Sequence, residues 1–226
     1  FTHKPFSYWL VMSKFTSKWT GSGGFSLRRR IKSPFRSNQP SKAMLEEAVR
    51  ALKIQMSGLD GTIDKLKQRD RKLFKQMVSS IRSNNMRRAS ILANEIAQVR
   101  KIIKNIMQAK LALERIIMRI GTIRDMGDIV ATLAPAVSAI KSVQGVVATV
   151  IPKADENFSE ISNLLSSILV DAGNMSGFTL DFKAASIDAE KILEEAAKVA
   201  EEELKSRLPE LPPSIMQQKA VEVEYA

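Results

Sequence analysis

The sequence predicts an all-α fold, a long antiparallel helical hairpin followed by shorter hinge-linked helices. Three observations predict it. Only 10 Gly and 8 Pro among 226 residues, 6% aromatic content and few period-two alternations give a sheet core little to build on. Apolar residues recur in alternating steps of three and four over two successive stretches, which is the spacing of a helical seam. The charge reverses along the chain: residues 1–125 carry 27 Lys/Arg against 8 Asp/Glu and residues 126–226 carry 8 against 16, within a net charge of +11.

Residues 1–41 read as a flexible basic tail. The stretch to residue 45 holds nine Lys/Arg and no acid, interleaved with Phe15, Trp19, Phe25, Leu27, Ile31 and Phe35. Basic side chains near an anionic bilayer contribute about 1 kcal/mol each, and aromatic rings anchor in the interface. Phe15, Lys18, Trp19, Arg28, Arg29, Arg30 and Lys32 are therefore candidate membrane contacts. The same composition suits single-stranded nucleic acid, through phosphate contacts and base stacking, although no nucleic-acid fold signature accompanies it. Incidental charge on a disordered tail is the third reading. The apolar run from Phe6 to Met12 is far shorter than the roughly 20 residues of a membrane span. It also lacks the features of a secretory signal. Met12 is the expected natural start.

Residues 42–127 read as the hairpin. Leu45, Val49, Leu52, Met56, Leu59, Ile63, Leu66, Asp70, Leu73 and Met77 form the first seam, with Gly58 and Gly61 each weakening the helix by about 1 kcal/mol relative to Ala. Ser83-Asn84-Asn85 is the turn, because Asn tolerates the left-handed backbone that ends helices. The second seam runs Ala89, Leu92, Ile96, Val99, Ile103, Ile106, Lys110, Leu113, Ile117 and Ile120. Folding about the Asn84–Asn85 midpoint sets residue i opposite roughly 169 minus i, so Asp70 should meet Arg100 and Lys42 should face Gly127. Ile91, Ile102, Met107, Ile116 and Ile123 widen the second stripe. A two-helix hairpin cannot bury that flank alone, so it must recruit the C-terminal helices, other copies of the chain, or both.

Residues 128–172 read as short hinge-linked helices, broken over 128–150 by Pro135, Gly145 and Pro152 and resuming over 157–172. A linker is expected over 173–184 and an acidic helix over 185–207. That helix, with Glu194, Glu195, Glu201, Glu202 and Glu203, either covers the basic hairpin or presents a solvated acidic face. Residues 208–226 hold two Leu-Pro pairs, at Leu208-Pro209 and Leu211-Pro212. They cannot continue a helix and favour an extended strand, which is either a ligand for another protein or a helix terminator before a frayed tail.

Zero Cys excludes disulfides, thiolate metal sites and cysteine nucleophiles, and fits an intracellular protein. The single His, His3, cannot build a relay. The chain is read as non-enzymatic, with no catalytic residue, metal or cofactor.

The stretch Arg88-Ala-Ser-Ile-Leu-Ala-Asn-Glu-Ile-Ala-Gln-Val-Arg-Lys-Ile-Ile-Lys104 with Leu111-Ala-Leu-Glu-Arg115 resembles the start of the second helix of the ESCRT-III proteins, most closely the archaeal Cdv cell-division members. The run Arg207-Leu-Pro-Glu-Leu-Pro212 is similar to that family's MIT-interacting motif. Basic hairpin, hinge helices, acidic helix and Leu-Pro run follow the family's order over 42–213. The resemblance implies an ESCRT-III-like fold, membrane-remodelling filaments formed with itself and with paralogous subunits, and an autoinhibited closed monomer. It further implies peripheral attachment to the inner face of the cell membrane. Disassembly would fall to an AAA ATPase whose MIT domain grips Leu208, Pro209, Leu211 and Pro212. Some archaeal members carry a winged-helix extension that recruits a membrane-bound partner; with the chain ending at Ala226, a later-arriving paralogue is expected instead.

Overall fold

Among the described residues the chain forms five helices. A computed structural model describes residues 42–124, 126–176 and 182–211, which lie within one unit, Ser37–Ala226. Helix α1 spans Lys42–Arg82 and α2 spans Met86–Ile120. They are about 62 Å and 52 Å long at 1.5 Å per residue. Asn84 takes the left-handed backbone at φ 56°. Asn85 caps α2, its side chain accepting from the Arg88 amide at 3.1 Å. The Asn-Asn turn therefore reverses the chain as the sequence predicts, and each Asn does a different job: one supplies the strained dihedral, the other satisfies an orphan amide.

The hairpin register also holds. Arg100 Nε donates to Asp70 Oδ1 at 2.8 Å, and Lys110 Nζ lies 2.6 Å from Asp60 Oδ1. Both pairs sum to 170, one residue from the expected relation. Asp70 interrupts the first seam with a carboxylate, yet its side chain is only 1% exposed. The interruption is therefore a buried, partnered charge rather than a defect in the seam.

Helix α3 spans Met126–Ala148, α4 Ala154–Ser176 and α5 Phe182–Arg207. Here the sequence expectation is corrected. Instead of broken pieces over 128–150, α3 runs unbroken through Pro135, although an interior proline costs about 3 kcal/mol. Packing offsets that cost, because Leu133, Ala136, Val137, Ala139, Ile140, Val143 and Val147 are all buried. The helix expected over 157–172 extends to Ala154–Ser176 and passes through Gly173. The expected 173–184 linker shrinks accordingly, with helix up to Ser176 and again from Phe182.

The C-terminal helices close around the hairpin. Helix α4 packs on α3 and α1, while α5 packs on α3 and α2. Phe158 and Ile161 of α4, Ile140 of α3 and Ile192 of α5 are nearly or fully buried with Ile103, Ile106 and Ile116 of α2 in one core. The window Asp128–Ala148 is apolar and long enough to cross a membrane, and half of it is buried in this bundle.

Candidate functional site

The apolar flank of α2 is where the chain meets its own C-terminal half. Met107 and Ile116 are buried, and Ile102 and Ile123 are packed against the core. Of the flank residues, Ile91, near the hairpin tip, stays exposed at 61%. The flank has thus recruited the C-terminal helices, the first of the two options its width allows.

Beside this flank, α2 carries Arg100, Lys104, Gln108 and Arg115. At 100° per residue these four side chains fall on one helical face. Each reaches α5 or the segment after it. Lys104 Nζ donates to Glu201 Oε2 at 2.8 Å, and Arg115 Nη1 lies 3.0 Å from Glu195 Oε2 and donates to the Ile192 carbonyl at 3.4 Å. Gln108 Nε2 donates to the Leu193 carbonyl at 3.3 Å. Arg100 Nη1 donates to the Pro209 carbonyl at 2.7 Å. The pairing runs antiparallel, with rising numbers on α2 meeting falling numbers on α5. Of the two readings of the acidic helix, covering the hairpin is the one the structure adopts.

Glu201 sits between two ammonium groups, Lys104 across the interface and Lys205 one turn along α5 at 2.9 Å. Hydrogen bonds from Lys104 first, then Lys205, hold its carboxyl at about 2, well below the ordinary 4.5. Glu194 points away and pairs with Lys198 at 2.8 Å. That hydrogen bond lowers the Glu194 carboxyl and raises the Lys198 ammonium. The acids of α5 thus divide between an interface pair, Glu195 and Glu201, and outward partners within the helix.

The part of the hairpin that α5 covers does not include the cations toward the tip. None of Lys67, Arg71, Lys72, Lys75, Arg82, Arg87 and Arg88 has an ion-pair partner among the described residues, while Arg69 pairs with Glu95. Gln68, Arg71, Lys72 and Lys75 line one shallow depression on α1. A competition between α5 and an external anion for that patch is therefore ruled out in this arrangement, because α5 contacts α2 and α3 rather than α1. The basic surface and the acidic cover occupy different helices.

Of the expected partner-binding residues, Leu208 and Leu211 are half-buried and packed against the core, and Pro209 is exposed with its carbonyl held by Arg100. Pro212 and the membrane candidates Phe15, Lys18, Trp19, Arg28, Arg29, Arg30 and Lys32 lie outside the described residues. Sequence reasoning singled out Arg100 only as the partner of Asp70, and passed over Lys104, Gln108 and Arg115 as an interface. The available signal was their shared helical face beside the apolar flank.

Residues 47–221 match the family model described as Snf7. The chain is 32% identical over 203 residues to cell division protein B1 of Sulfolobus acidocaldarius, covering 90% of this chain and 92% of that protein. It is 33% identical over 172 residues to cell division protein B of the same organism, covering 76% of this chain and 66% of the relative. No solved structure matches significantly. A match to the Snf7 model over most of the length, on a helical hairpin closed by its own C-terminal helices, means that this chain belongs to the Snf7 (ESCRT-III) family.

Proposed function

We propose that this chain is a non-enzymatic subunit of membrane-remodelling filaments, acting in archaeal cell division or vesicle scission, and that the structure is its closed monomer. The observation that carries the reading is the flank of α2. A surface broad enough to join copies of the chain is occupied by the chain's own α5, through contacts that are largely polar at their edge. Similarity to two proteins named for cell division supports the cellular setting.

In this reading Phe15, Lys18, Trp19, Arg28, Arg29, Arg30 and Lys32 bind anionic lipid from the cytoplasmic side, with the unpaired cations of α1 adding to the attraction. Opened subunits pack through the α2 flank against further copies and paralogues. The MIT domain of an AAA ATPase then takes Leu208, Pro209, Leu211 and Pro212 to dismantle the polymer.

Flotation with liposomes containing anionic lipid, against neutral liposomes and across a salt series, tests the membrane arm. The full chain is expected to float with the anionic vesicles and to lose binding as salt rises. The paired substitution Phe15→Ser with Trp19→Ser should weaken flotation several-fold. Tight binding to single-stranded DNA without flotation would favour the nucleic-acid alternative. Leu208→Asp with Leu211→Asp should abolish MIT-domain binding and leave flotation unchanged.

A further inference from the structure

Arg100 takes part in two contacts that belong to different parts of the chain. Its Nε and Nη2 grip the two oxygens of Asp70 at 2.8 and 3.3 Å, inside the hairpin and on a carboxylate that is 1% exposed. Its Nη1 leaves the hairpin and donates to the carbonyl of Pro209 at 2.7 Å, 109 residues further along. Pro209 lies one residue past Leu208, whose amide still bonds the Leu204 carbonyl at 3.2 Å. Leu208 and Leu211, on either side of that carbonyl, are packed against the core.

We propose that Arg100 is a reversible clasp, which the buried Asp70 aims at the Pro209 carbonyl and which keeps the Leu208–Leu211 segment seated on the hairpin and unavailable to a second protein. The two halves of the clasp differ in what their loss costs. Separating Arg100 from Asp70 would strand a buried carboxylate without its counter-charge, which is strongly destabilising. Lifting Pro209 away only returns one guanidinium N–H and one exposed carbonyl to water, where both find new partners. The anchor is therefore permanent and the catch is cheap to open. A rigid fork suits this use, since one edge of the guanidinium can stay occupied while the other exchanges its acceptor. Lysine, with a single ammonium on a flexible stem, holds no such fixed direction.

The clasp also makes segment release separable from release of α5. Lys104 and Arg115 grip α5 by its carboxylates and carbonyls, whereas Arg100 grips only the chain beyond its end. A protein that takes the segment must supply its own donor for the Pro209 carbonyl and its own contacts for Leu208 and Leu211. The identity of that protein rests on the functional reading above; the clasp itself does not.

The absence of cysteine from the chain provides the test. A nitroxide attached to the full-length chain through Glu210→Cys, an exposed position, reports the segment's mobility. Arg100→Lys, which keeps a cation for Asp70, and the neutral pair Asp70→Asn with Arg100→Gln should each raise the mobile-to-immobile ratio about tenfold, as expected for loss of one charge-assisted hydrogen bond. Glu203→Gln, which cuts the exposed Arg207 pair within α5, should leave the spectrum unchanged. Spectra identical to the parent for both Arg100 variants, at unchanged helical circular dichroism, would overturn the clasp. If the variants free the label while affinity for a purified MIT domain stays the same, the clasp stands and the docking-motif reading fails.

Discussion

At the residue scale, two buried polar groups have opposite fates. Asp70 is fully enclosed and partnered by two guanidinium nitrogens. Ser162 of α4 is 4% exposed, and its hydroxyl has no partner among the described residues. An unsatisfied buried hydroxyl costs about 1–3 kcal/mol, so Ser162→Ala should stabilise the closed form by about 1 kcal/mol. Thermal denaturation would show this as a melting temperature higher by about 2–4 °C, and an unchanged or lower value would mean that the hydroxyl finds a partner in solution. The Asp70–Arg100 contact was legible in the sequence because a single charge in a heptad seam has only one place to go once the turn fixes the register. Ser162 was not, since a serine on an amphipathic helix shows its cost only when the facing helix is known.

At the element scale, periodicity located the helices better than breaker residues did. The two seams of the hairpin and the Asn-Asn reversal follow from spacing and turn chemistry alone. The continuity of α3 through Pro135 and of α4 through Gly173 does not, because tertiary burial overrode local preference in both helices. Gly58 and Gly61 are the complementary case, in which α1 tolerates weak helix formers with no packing reason to keep them. A methyl group at either position would have nothing within 4 Å. Gly58→Ala with Gly61→Ala is thus expected to raise stability by about 2 kcal/mol in total, read as a higher denaturant midpoint with unchanged slope. A loss of stability on that substitution would point to a close contact that forms only between copies of the chain.

At the scale of the whole molecule, the charge asymmetry has become a division between surfaces. Arg71, Lys72 and Lys75 of α1 have no ion-pair partner among the described residues, while Lys104 and Arg115 on one face of α2 hold the acidic helix, so in the proposed opening of the chain the control lies at α2. Glu195→Lys with Glu201→Lys would place like charges against Arg115 and Lys104, and is expected to shift the full chain from monomer to polymer in sedimentation at low salt. A monomer of unchanged hydrodynamic radius would show that α5 is held by apolar packing alone. The pH response follows from Glu201. Its carboxyl is held at about 2 against an ordinary 4.5, so the contribution of this contact is complete above the ordinary value and is lost as pH falls through about 2. Acidification from pH 7 to pH 5 should leave the molecule closed, whereas raising salt should weaken the same half-exposed pairs. A monomer that opens on mild acidification would place the controlling group elsewhere.

The junction between α2 and α3 gives this closure a mechanical meaning. Gly121 ends α2 at φ −66° and ψ −16°, already the backbone of a right-handed helix, so among the described residues Thr122, Ile123 and Arg124 are the ones that separate it from α3. Resetting them would fuse residues 86–148 into one rod of about 95 Å at 1.5 Å per residue. Helix α5 lies against both arms of that elbow, like a strut across it, so straightening the elbow would break its contacts with at least one arm.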